Sequence, residues 1–168
     1  MIFYFEEGIG MRENTCCFIG HRTINETEEL KNELTELTER LIAEKGVDAF
    51  LFGSKSRFDG LCLETVTVLK EKYPHVRRIY VRAEFPEISE DYEAYLLAFY
   101  EDTYYPEKLT GAGKAAYVRR NREMVDGSKY CVFYYDESCV PTARKSGTKL
   151  ALDYAAKQGK EIFVLKSK

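Results

Sequence analysis

Short apolar runs alternate with helical segments along the whole chain, and that alternation restricts the fold more than any other feature. TCCFIG (15–20) is an apolar run closed by glycine. ETEELKNELTELTERLIAEKG (26–46) follows, with Leu30, Leu34, Leu37 and Leu41 on one helical face and Gly46 as its stop. VDAFLFG (47–53) is a second buried strand. DGLCLETVTVLKEKYP (59–74) is a second helix, with Asp59 as N-cap candidate and Pro74 beyond its end. VRRIYVRAE (76–84) is a third strand. ISEDYEAYLLAFYEDTYYPEKL (88–109) puts Ile88, Tyr92, Tyr95, Leu96 and Phe99 on one helical face. A helix over 111–128, a strand over 129–137, a helix opened near Ser146 and stopped by Gly159, and a last strand EIFVLKS complete the pattern.

Strands separated by helices pair in parallel through right-handed crossovers. The expectation is an α/β, Rossmann-like three-layer sandwich: a mostly parallel five-stranded sheet with helices on both faces. Residues 15–168 form one domain, and residues 1–14 are a tail or an extra strand. Met11 is an alternative start to Met1, because the organised pattern begins after it.

Net charge is -3, which argues against a general nucleic-acid coat while leaving room for a local basic pocket. Five cysteines and only two histidines, with no Cys-x-x-Cys pair, do not suit a structural zinc site. An odd number of cysteines, Cys139 among them, fits reduced thiols in the cytoplasm. No stretch reads as a signal peptide or a membrane span.

In an open parallel sheet, ligands sit beyond the carboxyl ends of the strands, near the switch in strand order. The residues just after each strand therefore carry the functional reading. After the first strand stand Gly20, His21 and Arg22. Glycine admits close backbone approach, and an arginine fork suits phosphate or carboxylate; the same residues also make an ordinary turn. After the second strand come Gly53, Ser54, Lys55 and Arg57 ahead of a helix N-terminus, a phosphate cradle or a capped helix start. Ser146, Gly147 and Thr148 open the last helix, where they hold a phosphate or ribose or serve as a plain cap. Asp136 and Glu137 end the fourth strand and are the candidate catalytic carboxylates. Three arginines, Arg119, Arg120 and Arg122, crowd the helix before that strand. The tyrosines of 92–117 read as core and edge packing, with base stacking by one of them as the minor alternative.

Taken together and in this order, the patches resemble the SLOG superfamily. That group holds the DprA/Smf proteins, the Lonely Guy phosphoribohydrolases and the YpsA-like proteins, and the YpsA-like branch is the most similar. CCFIGHRTI, FLFGSKSRFDGLCLETV, RRNREM and SGTKLALDYAAKQGKEIFVL carry the likeness, over Thr15 to Leu165. The resemblance implies one pocket for a phosphate-bearing nucleotide or nucleotide-derived ligand. Gly20, Arg22, Gly53, Arg120, Asn121, Ser146, Gly147 and Thr148 would line it. Of the three arginines it singles out Arg120, with Arg119 and Arg122 on the surface. Lonely Guy enzymes carry a helix glutamate tied to N-glycosidic cleavage where this chain has Ala151. A sensor or regulatory module is therefore the first reading, a nucleotide N-glycosidase the alternative and single-stranded DNA binding the second alternative. The expected partner is a small nucleotide-like ligand, without metal or membrane. The resemblance also implies a homodimer.

Overall fold

A computed structural model describes residues 12–139 and 146–167. The tail or extra strand expected over residues 1–14 lies outside these except for a short turn at Arg12–Asn14. The connection 140–145, the side chain of Cys139 and the choice between Met1 and Met11 also lie outside them.

Six parallel strands form one sheet: β1 (Thr15–Gly20), β2 (Ala49–Phe52), β3 (Arg77–Val81), β4 (Asp102–Tyr104), β5 (Tyr130–Tyr134) and β6 (Glu161–Leu165). Their order is β4-β3-β2-β1-β5-β6. Five helices connect them: α1 (Glu28–Ala43), α2 (Arg57–Lys72), α3 (Glu90–Leu97), α4 (Ala116–Asp126) and α5 (Gly147–Lys157). The chain steps outward from β1 to β4, then returns to the other side of β1 and steps outward to β6. Crossovers of one hand running in opposite directions put their helices on opposite faces.

Strand alternation divides the core accordingly. Cys16, Phe18, Phe50, Phe52, Val132 and Tyr134 face α1, α2 and α3. Cys17, Ile19, Leu51, Ile79, Cys131 and Phe133 face α4 and α5. Both faces are covered, so the central strands are continuous apolar runs. The four described cysteines, Cys16, Cys17, Cys62 and Cys131, are buried and unpaired. Among the described residues, no helix is long and apolar enough to cross a membrane.

Three expectations need correction. The sheet has six strands, not five. The extra strand, β4, lies within 88–109, which the sequence pattern gave to helix. Only Glu90–Leu97 is helical there, and Asp102–Tyr104 then pairs with Ile79–Val81 at the sheet edge. On α3 only Leu96 is buried, while Tyr95 is 61% exposed and Phe99, just beyond the helix, 47%. Finally, Asp59 does not cap α2. Ser56 does, its Oγ accepting from the Asp59 N–H at 3.1 Å.

Candidate functional site

The strand order reverses between β1 and β5, and a cleft of about 620 Å³ opens at the carboxyl ends of the strands there. Four loops build it.

The first follows β1. Gly20 is there for packing: a Cβ would lie 2.3 Å from Cδ2 of Phe58, in the first turn of α2. His21 is buried, and its Nε2 accepts from the Asp136 N–H at 3.0 Å. That bond joins the loop after β1 to the loop after β5. Burial pulls the His21 pKa below its usual value, against the nearby Asp136, so the ring stays neutral and able to accept. Arg22 is exposed, and its carbonyl accepts from the Arg57 N–H at 2.9 Å. Its guanidinium makes no hydrogen bond or ion pair among the described residues.

The second loop, 53–56, is organised from within the protein. Asp59 is buried in the first turn of α2, and its Oδ2 accepts from the N–H groups of Gly53 (3.1 Å) and Ser54 (3.0 Å). A carboxyl oxygen of the chain itself thus occupies the amides that the sequence offered to a phosphate. Arg120, also buried, donates through Nη1 to the Gly53 carbonyl and through Nε to Asn121 Oδ1 at 3.0 Å. Its Cδ would lie 2.7 Å from a Cβ on Gly53, so that glycine makes room for the arginine. Arg119 and Arg122 are exposed, the latter over the Tyr154 ring at 5.2 Å. Helical spacing sorts the three, because Arg120 shares a buried face with Met124 four residues on.

The third element is the N-terminus of α5. Ser146 Oγ accepts from the Lys149 N–H at 3.1 Å. A first helical turn has no internal acceptors for its amides, so those of Gly147 and Thr148 are left for the cleft, which both residues line. Ala151 is buried against β-strand side chains.

Gly20, His21, Arg22, Gly53, Ser54, Lys55, Arg120, Asn121, Ser146, Gly147 and Thr148 all line this one cleft. Arg57 does not. It is held on the surface by Glu26 at 2.6 Å and Glu64 at 3.3 Å. Asp136 and Glu137 are not among the lining residues either, and Asp136 Oδ1 accepts from the Ser138 N–H and Oγ. The fourth loop, after β3, was missed by the sequence reading. It contributes Arg82, Glu84 and Phe85, and the strand-end rule that found the other three would have found it too. Arg82 is tied to Thr103 Oγ1 and the Phe85 carbonyl, while Glu84 accepts from the Tyr117 hydroxyl across the cleft.

The lining side chains include four cations (Arg22, Lys55, Arg82 and Arg120) and one carboxylate (Glu84), on a chain of net charge -3. Arg82 and Arg120 are committed to loop carbonyls, so among the described residues Arg22 and Lys55 are the lining cations free to meet an anion. Among the described residues no cluster of His, Cys, Asp and Glu could hold a metal ion.

The fold has a solved counterpart. The chain is similar to the X-ray structure of DNA processing protein A (DprA) from Streptococcus pneumoniae, with a TM-score of 0.61 and 12% identity. The match covers 98% of this chain and 53% of that one, so this chain spans about half the length of DprA. No protein-family model and no curated protein matches it. DprA is a member of the group that the loop motifs resemble, and at this identity the likeness establishes the fold alone.

Proposed function

We propose that this protein binds a phosphate-bearing nucleotide or nucleotide-derived ligand in the cleft and acts as a sensor or regulatory module of the YpsA-like kind. The supporting observation is convergence. Loops drawn from residues 20–22, 53–55, 82–85 and 146–148 meet at the carboxyl edge of the sheet, where it switches direction. Two uncommitted cations and the free amides of a helix N-terminus stand together there. That combination suits a phosphate monoester.

Arg22 separates binding from folding. It is exposed and its guanidinium makes no hydrogen bond or ion pair among the described residues, so Arg22→Ala is expected to keep the wild-type melting temperature. Loss of a charge-assisted contact should weaken ligand binding by about ten-fold or more. A thermal-shift panel of nucleoside monophosphates, ADP-ribose, NAD and cyclic nucleotides checks this. A ligand present at about thirty times its Kd should stabilise wild type by about 2 kcal/mol. No shift with any member of the panel would end the proposal.

A second reading, nucleotide N-glycosidase, is favoured by Glu84, the one carboxylate lining the cleft among the described residues. A carboxylate there would stabilise an oxocarbenium-like centre as the base departs and water adds. Release of free base by wild type and its loss in Glu84→Gln would establish this reading in place of the sensor. A salt-sensitive oligonucleotide complex would instead favour the DNA-binding reading.

A further inference from the structure

Beside the phosphate cleft lies a second hollow of about 640 Å³, walled by aromatic residues. Arg22, Ser54, Lys55, Ser56, Tyr80 and Tyr92 line both, so the two are continuous over the 54–56 loop. Tyr92 and Tyr95 of α3 stack with their rings 12° from parallel and 6.2 Å apart, and Phe99 packs edge-on against Tyr95 at 5.5 Å. Tyr80 and Tyr100 form the inner wall, 5.2 Å apart. The outer part of this wall has no role in the core: Tyr80 belongs to the core cluster and Tyr92 and Tyr100 pack against it, whereas Tyr95 and Phe99 are 61% and 47% exposed.

An independent feature marks the same hollow. Asp59 lines it, is 4% exposed, and has one carboxyl oxygen, Oδ1, with no hydrogen-bond partner among the described residues. An orphaned buried oxygen is costly; ionised it calls for a donor and protonated for an acceptor, and the edge of a base carries both.

We propose that this hollow is the subsite for the ligand's aromatic base, with the Tyr92–Tyr95 pair as its stacking wall and Asp59 Oδ1 as the polar group that meets the base edge. This rests on the reading of the neighbouring cleft as a phosphate site. The continuity of the two hollows supplies the geometry: a phosphate held by Arg22 and the start of α5 leaves its nucleoside over the 54–56 loop, next to Tyr92. Every nucleobase presents a π-face to a tyrosine and carries polar edge atoms, which an apolar partner surface lacks. A single nucleotide fits better than a nucleic-acid strand. The first turn of α3 carries Glu90, Asp91 and Glu93, and a phosphate chain running along the aromatic wall would meet them.

Calorimetric titration with ribose 5-phosphate and the four ribonucleoside 5′-monophosphates tests the assignment. At least one nucleotide should bind wild type about ten-fold or more tighter than ribose 5-phosphate. Tyr95→Ala, at an exposed position, should keep the wild-type melting temperature and the ribose 5-phosphate Kd, yet lose most of that advantage. Tyr92→Ala, whose ring also packs against the core and lines both hollows, should lower the melting temperature but likewise cost the nucleotides more affinity than ribose 5-phosphate. The base subsite is overturned, with the phosphate site intact, if wild type binds ribose 5-phosphate as tightly as every nucleotide, or if the tyrosine variants weaken all ligands equally. Absence of binding by all five compounds overturns the cleft reading and this one with it. Tighter binding of a thymidine oligomer that depends on Tyr95 turns the wall into a strand platform and overturns the single-nucleotide assignment.

Discussion

Asp59→Ala is expected to lower the unfolding free energy by about 3 kcal/mol or more, and Asp59→Asn by much less. The alanine leaves the N–H groups of Gly53 and Ser54 without their acceptor, and each orphaned buried donor costs about 1–3 kcal/mol. It also strips the buried Arg120 guanidinium of its neighbouring carboxyl. Asparagine keeps a carbonyl oxygen for the two amides. The comparison with asparagine also carries a pH signature. Burial pushes the Asp59 carboxyl up to about 7, overriding the two amides and Arg120, which favour the charged form. The unfolded chain titrates this group near its ordinary value of 3.8. Between those values the folded state holds the proton and the unfolded state does not. Stability contributed by Asp59 therefore rises as pH falls from about 7 towards 4, and is lost as pH rises back through that window. Denaturant unfolding of wild type and Asp59→Asn at several pH values should show the wild-type advantage growing on acidification. A difference that stays constant across pH would mean that the carboxyl is not buried as described.

Most of the sheet could be read from the chain because its strands are buried on both faces. FIG, AFLF and YCVFY are uninterrupted apolar runs, and that pattern has few other outcomes. β4 could not be read this way. Asp-Thr-Tyr is half-exposed, three residues long and a strand only because the edge of β3 is beside it. Asp59 shows a different limit. An aspartate before an apolar helical run has the composition of a cap, and only the folded loop reveals that it reaches back to Gly53 and Ser54. At the site, loops with glycine or hydroxyl signals were found, while RAEF (82–85) after β3, with an arginine but neither glycine nor hydroxyl, was passed over. Arg120 is singled out by the resemblance, and the structure supplies the physical reason: it shares the buried face of α4 with Met124, one helical turn on.

Gly20→Ala is expected to cost about 3 kcal/mol, the upper end of the usual range for overpacking. The new methyl would stand 2.3 Å from Cδ2 and 2.8 Å from Cβ of Phe58. That ring is fully buried and held against Phe18 and Tyr134, at 6.5 and 5.7 Å between centroids, so it has no room to retreat. Moving a Cβ means moving the first turn of α2, and with it the Asp59 carboxyl that holds the second loop. Gly53→Ala makes a useful contrast. Its closest contacts are Met124 Sδ at 2.6 Å and the Arg120 side chain at 2.7 Å, both on longer and more flexible arms. It should therefore cost less stability than Gly20→Ala, with the damage falling on the Arg120 bond to Gly53. The decisive measurement is a double-mutant cycle. Phe58→Leu alone leaves a cavity and destabilises, but combined with Gly20→Ala it makes space for the added methyl. The two changes should couple favourably by about 1 kcal/mol or more, within the range for residues in direct contact. Strict additivity would show that Gly20 is not held by Phe58, and that the glycine after β1 serves the cleft rather than the core beneath it.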